Sequence, residues 1–446
     1  MMLLPLLLAT LPPLALQANK VKLDNGLTVI ISADHSVPGV ALDLRYHVGS
    51  KDEDAGRTGF AHLFEHLMFM GARHVPYPQF DTLMEAAGGT NNASTSSDVT
   101  EYHEVGPSNL LETFLWMEAD RLATLGQEMT QEKLETQRKI VLNERRQSYE
   151  NRPYGLAGLA LEEHLYPEGS PYHWPVIGSA KDLEAAQLTD VTRFFANWYV
   201  PGNAILAIVG DVEPAQAEAL VRKYFGWLPG KAIPERKPKA LAQLKGEDRL
   251  SLTDKVELPR VFVGWLSPAH FQPGDADADL AATILARGKA SRLYERLVHK
   301  DEIATDVGAE QDSRELQGNF TLTALARPGH TTKELLAAVD DEVKKFAEKG
   351  PTAAELASAR VRIYTDAARG LEDLTFRAQK LTSYELDFGD PTALQKDLGR
   401  YEAATTQSVR DFVKSTLGAA RVVVEVQPEA AAAAEPKAAE VKGAKQ

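Results

Sequence analysis

Residues 59–70 read GFAHLFEHLMFM, and a helix through them is apolar on nearly every side, with Phe60, Leu63, Phe64, Leu67, Met68, Phe69 and Met70 spread around it. Such a helix must be covered all round, so the chain has to build an interior that encloses it. Yet it also carries His62, Glu65 and His66, and burying three titratable groups without partners costs several kcal/mol. A bound metal removes the conflict. At i and i+4 the imidazoles of His62 and His66 leave one helical face at a separation suited to two corners of a Zn²⁺ tetrahedron, with Glu65 on the flank. This H-x-x-E-H order is the inverted form of a catalytic zinc motif. With 11 His and 63 acidic residues it is expected about 0.04 times by chance in a chain of this length. A core histidine pair satisfied by backbone carbonyls is the plainer alternative.

The chain contains no cysteine, which rules out disulfides, thiolate catalysis, Cys-ligated zinc and iron–sulfur clusters. Any metal is therefore held by His and carboxylates. Its 446 residues allow two to four domains at roughly 100–200 residues each. A composition of 44% hydrophobic and 25% charged residues belongs to an ordinary soluble globular protein. A net charge of −14 has the wrong sign for neutralising phosphates, so no nucleic-acid partner is expected. The first eighteen residues, MMLLPLLLATLPPLALQA, are too short and proline-broken for a membrane helix of about 20 residues and read as a signal peptide over 1–18. Export would make the mature chain periplasmic or secreted, without a stable membrane anchor; the chain is cytoplasmic if this segment is not a signal.

Beyond the leader, Val21–Ile31 reads as a strand interrupted by a turn at Asp24-Asn25-Gly26, and Val40–Val48 as a half-buried strand. After the motif helix, apolar residues recur at helical spacing over Ser108–Leu125 and Glu132–Tyr149, followed by a loop at residues 151–155, a buried strand Ala204–Val209 and a helix Pro214–Phe225. That order describes an α+β layer with helices on one face of a sheet. Thr90–Val105, rich in Thr, Ser and Asn, reads as an edge strand open to water. It either pairs with an extended peptide or only guards the edge against aggregation. Pro and Lys concentrate in Pro229–Leu244, which sets an interdomain linker over 229–245. The segments Arg260–Trp265, Ala276–Ala286, Ser291–Val298, Asn319–Ala326, Lys333–Glu348, Ala353–Gly370 and Arg421–Val426 then repeat the alternation of strand and helix. The expectation is an internal duplication, residues 19–228 and 246–428, with a disordered Ala/Glu/Lys tail over 429–446.

Two histidines need a third protein ligand. In Glu132–Tyr149 the stripe Leu134, Gln137, Val141, Glu144, Ser148 embeds one acid, Glu144, which reads either as that ligand or as a solvated glutamate beside Arg145 and Arg146. His74, His103, His164 and His173 are scattered and form no second cluster.

Taken together, His62-Leu63-Phe64-Glu65-His66, Glu144 within Leu142-Asn143-Glu144-Arg145-Arg146, Gly88-Gly89-Thr90-Asn91-Asn92-Ala93 and Asn197-Trp198-Tyr199-Val200-Pro201-Gly202-Asn203 resemble the pitrilysin/insulinase family of zinc metallopeptidases. The likeness spans nearly the whole chain and is strongest to the zinc-bearing subunit of the bacterial branch similar to mitochondrial processing peptidase. It implies an α+β fold of two homologous halves, each a mainly antiparallel sheet with helices on one face, enclosing a chamber with a partner subunit. It also implies one Zn²⁺ per chain on His62, His66 and Glu144, Glu65 as general base, and peptide binding at Asn92 and Ala93. The substrates implied are small proteins or extended peptides.

The sequence departs from the family at three positions. Gln137 stands where relatives commonly carry a second glutamate, seven positions before Glu144, and can hydrogen-bond but not share charge. Val298 and Thr305 occupy the places where active single-chain or homo-oligomeric relatives put an Arg and a Tyr that hold the substrate. Arg292 or Arg296 in a shifted register would replace the Arg but leave the Tyr without a counterpart. Two functions follow: the zinc-bearing subunit of a heterodimer whose paralogous partner lacks the zinc motif and supplies Arg and Tyr, or an inert structural subunit that retains a metal site. Retention of all four metal-site residues favours the first.

Overall fold

The computed structural model describes residues 13–236 and 239–429. Most of the expected leader and nearly all of the expected tail lie outside these residues. The first sheet contains β1 (Asn19–Lys22), β2 (Thr28–Ala33), β3 (Gly39–Tyr46), β4 (Thr90–Thr95), β5 (Thr100–Pro107) and β6 (Ala204–Gly210), in the order β1-β2-β6-β3-β5-β4. The second contains β7 (Asp248–Asp254), β8 (Arg260–Ser267), β9 (Ala304–Asp312), β10 (Gly318–Ala326) and β11 (Val422–Pro428), in the order β7-β11-β8-β10-β9. With β1 set aside the two orders are identical. β2 pairs parallel with β6 and β7 parallel with β11, and every other pair is antiparallel. The fold is the expected pair of α+β halves, and the repeat is far clearer in strand order than in sequence.

Each sheet has its own helices on one face, as expected, and a helix lent by the other half on the second. Alternation along β6 shows how: Leu206 and Ile208 join Leu42, Phe64 and Phe225 in the first core, while Ala207 and Val209 join Ala378, Leu381 and Tyr384 of helix Leu374–Phe388. In β11, Val423 faces the second half's own core, whereas Val422, Val424 and Val426 meet Leu161 and Leu165 of helix Gly155–Leu165. Gly264 on β8 permits that approach, since a Cβ there would stand 2.8 Å from Leu165 Cδ1. Covered on both faces, β6 reads as an unbroken apolar run, and β11 opens on three valines before Glu425. Leu381 is fully buried, so Leu381→Ala is expected to destabilise the chain by about 2–5 kcal/mol. A urea midpoint within error of wild type would show that the lent helix adds little.

The β9–β10 connection also ties the halves together. Glu315 accepts from His47 Nε2 at 2.7 Å and Lys51 Nζ at 2.9 Å, its own N–H donates to Asp98, and Leu316 N–H donates to the Tyr172 hydroxyl. Pro229–Leu244 forms no helix or strand among its described residues, yet it is pinned: Arg236 pairs with Asp52 at 2.9 Å, and Ala242 exchanges two hydrogen bonds with Gln317. At the other end of the chain, Leu16 is buried with Tyr384, Leu394 and Leu398, and the Leu14 carbonyl accepts from Gln395 at 2.5 Å. A chain beginning at Asn19 would lack this plug.

One expected element is corrected. Thr90–Val105 is not a single edge strand but the hairpin of β4 and β5, with a turn at residues 96–99, and only β4 lies at the edge. The turn residues Ser96, Ser97 and Asp98 are polar like their neighbours and hide the break; Ser96 Oγ accepts the N–H groups of Asp98 and Val99.

Candidate metal centre

The motif helix runs Phe60–Leu67 and starts at Gly59, whose φ of 83° is left-handed and which offers no side-chain cap. The buried Glu53 supplies one from outside the helix, accepting the N–H groups of Gly59 at 2.9 Å and Ala61 at 2.8 Å. Burial pushes its carboxyl up to about 8 against the pull of these donors. Phe60, Ala61, Leu63, Phe64 and Leu67 are buried in the first core, which fixes the helix about its axis. Its remaining side turns His62 and His66 toward helix Gln131–Arg145 and Glu65 toward β4. That second helix is capped by Thr130, which accepts from Lys133 N–H, and buries Leu134, Gln137 and Val141. The stripe carries Glu144 to the two imidazoles.

His66 Nε2 lies 3.2 Å from Glu144 Oε2, and His62 Nε2 lies 3.7 Å from Glu144 Oε1. One donor atom from each of the three residues falls within 4.8 Å of the others, the one such group of three found among the described residues. Tetrahedral zinc with bonds of about 2.0–2.1 Å places its ligand atoms about 3.3 Å apart, so the donor set fits the ion. Burial and the neighbouring His66 push His62 down to about 4, and burial lowers His66 against the pull of Glu144. Both rings are therefore neutral at pH 7, the state in which a ring nitrogen can bind a metal. His62 Nδ1 is buried with no hydrogen-bond partner. Gln137 is buried on the same stripe and donates to Met70 Sδ at 2.7 Å.

Glu65 stands beside this cluster. Burial pushes its carboxyl up to about 7; a hydrogen bond from Thr95 opposes the rise, and Glu144 and Glu101 add to it. Thr95 Oγ1 donates to Glu65 Oε2 at 2.5 Å. Thr95 escaped the sequence reading, although strand periodicity puts it on the same face of β4 as Ala93. β4 packs against the motif helix, with Ala93 partly buried against the core. Asn92 lies on the opposite face, in register with His103, and its Oδ1 accepts the Ala93 N–H at 2.9 Å. Of the other histidines, His74 pairs with Asp120, His164 with Asp248 and His173 with the Tyr166 carbonyl, while the buried Nδ1 of His103 has no hydrogen-bond partner.

The family model described as Insulinase (Peptidase family M16) matches residues 28–169, and the model described as Peptidase M16 inactive domain matches residues 185–362. The chain belongs to the M16 peptidase family. This M16 chain is 28% identical to zinc protease PqqE of Helicobacter pylori over 83% of its own length and 86% of the relative. It superposes on the crystal structure of a protease from Helicobacter pylori with a TM-score of 0.87 at 26% identity, covering 93% of this chain and 100% of that one. It shares the fold of the periplasmic protease PqqL from Escherichia coli, with a TM-score of 0.76 at 19% identity, 92% of this chain matching 47% of that one.

In the second M16 half, Val298 is buried in the core of that half, and its carbonyl accepts from Arg327. Thr305 lies exposed on β9, its hydroxyl 3.4 Å from the Leu325 carbonyl. The described contacts of both are made within the second half. The two arginines that a shifted register would offer are also held there, Arg292 by Glu355 at 2.7 Å and Arg296 by Asp341 and Asp301. Among the described residues, no helix is long and apolar enough to cross a membrane.

Proposed function

We propose that this M16 chain is the zinc-bearing subunit of a metalloendopeptidase that cleaves small proteins or extended peptides. The observation that carries the reading is the convergence of His62, His66 and Glu144, with Glu65 beside them and next to the open edge of β4. When bound, one zinc ion supplies a Lewis acid that polarises the scissile carbonyl and acidifies water. A peptide laid along β4 adds a strand, its main-chain groups pairing with the free edge at Asn92 and Ala93, so affinity depends little on side-chain identity. Glu65 accepts the proton of the attacking water as the C–O bond forms. It then returns that proton to the amine nitrogen as the C–N bond breaks. Gln137, on the stripe that carries Glu144, is a polar neighbour of the metal ligands that adds no charge.

A paralogous partner lacking the zinc motif supplies the Arg and Tyr that Val298 and Thr305 cannot. Support for a two-chain chamber comes from PqqL, in which one polypeptide has about twice the length of this fold. The leader-like segment at residues 1–18 and the periplasmic setting of PqqL support a periplasmic location. A second reading, an inert structural subunit that keeps its metal site, is favoured by Val298, Thr305 and the match to the inactive-domain model. Zinc content and peptide hydrolysis, measured for the chain alone and after mixing with a family subunit lacking H-x-x-E-H, separate the two. Zinc in the chain with turnover only in the mixture is the expected result. Bound zinc without hydrolysis in either sample would move the assignment to the structural subunit.

A further inference from the structure

The hydroxyl of Thr95 serves no need of its own strand. Thr95 ends β4, the outermost strand of its sheet, where a threonine can satisfy its hydroxyl with water. Instead Oγ1 points inward and donates to Glu65 Oε2 at 2.5 Å. It is the one side-chain hydrogen bond to Glu65 among the described residues. Its helix neighbours Phe64 and Leu67 turn into the core and offer it no polar partner.

A glutamate side chain turns about several bonds, so without a fixed partner its head can swing away from the cluster. A single short hydrogen bond from the strand fixes it. The other face of β4 braces the strand itself, since Ser94 Oγ donates to Glu101 at 3.1 Å, and Glu101 is also held by Arg45 and by Gln379 from the second half. We propose that Thr95 is a positioning residue that holds the Glu65 carboxylate in its reacting orientation. This rests on Glu65 being the general base.

The test compares zinc-loaded Thr95→Val, which keeps the shape and removes the hydroxyl, with Thr95→Ser, which keeps the hydroxyl. Both are assayed in whichever assembly turns over peptide, the chain alone or its complex with the partner subunit. Thr95→Val is expected to bind zinc at the wild-type ratio, keep KM within about twofold and lose about 10- to 100-fold in kcat, the scale of a misplaced catalytic group. Thr95→Ser is expected to recover most of that turnover. Crystal structures should show the Glu65 carboxylate in place in Thr95→Ser and displaced in Thr95→Val. Wild-type kcat in Thr95→Val, a raised KM at unchanged kcat, or an unmoved Glu65 in its crystal structure would each overturn the proposal. Glu65→Gln measured alongside keeps the two readings apart. If Glu65→Gln still turns over, the general-base reading fails; if it is inactive while Thr95→Val is normal, only the role of Thr95 fails.

Discussion

Glu65→Gln should leave zinc binding intact and abolish nearly all peptide hydrolysis. The substitution keeps the size and shape of the side chain, and its amide oxygen can still accept from Thr95 Oγ1, so the contact with β4 survives. His62, His66 and Glu144 are untouched, and the bound metal should remain stoichiometric. What is lost is a group able to take a proton from water. General-base catalysis is worth about 10²–10⁴-fold, so kcat should fall by about three orders of magnitude with little change in KM. Folding should not suffer, because burial already disfavours the charged form of Glu65 and a neutral amide is less costly in that place. Metal analysis, steady-state kinetics and thermal unfolding on one preparation check all three statements. Turnover at the wild-type rate would remove Glu65 from this role.

Much of this arrangement was legible in the sequence because it rests on local patterns. Two histidines four residues apart on an apolar helix, and an acid at the end of the stripe Leu134, Gln137, Val141, are repeats of 3.6 residues that any helix converts into shared faces. Helix Ala353–Gly370 and helix Pro214–Phe225 fall where periodicity puts them. What the sequence hid depends on contacts between distant segments. β7, read as DRLSLTD, and β9, read as ATDVGAEQD, are polar edge strands whose pairing with β11 and β10 supplies what their composition does not. Helix Leu374–Phe388 escaped notice because its apolar face answers a sheet more than 160 residues earlier in the chain. The hydroxyl of Thr95 was invisible for the same reason: nothing near it in sequence announces that it meets Glu65.

Removing the third ligand should have the largest effect on the metal and the smallest on the fold. Glu144 joins the two imidazoles from a separate helix and is 39% exposed, so Glu144→Ala should change the stability of the metal-free chain by no more than about 0.5 kcal/mol. Its effect on zinc should be severe. Two neutral imidazoles on one helix cannot close a site for a divalent cation, and loss of the only negatively charged donor should weaken binding by well over the ~100-fold typical of removing an outer partner. Zinc binding to the folded wild-type chain should raise its stability by about 2.7 kcal/mol when free zinc is 100 times the dissociation constant. In Glu144→Ala that increment should vanish at the same zinc concentration. The comparison needs neither a substrate nor a partner subunit, and both the peptidase and the structural-subunit readings require it to succeed. Stoichiometric zinc in dialysed Glu144→Ala would mean that another group completes the site, and the pairing of His62 and His66 with helix Gln131–Arg145 would then be structural rather than metal-binding.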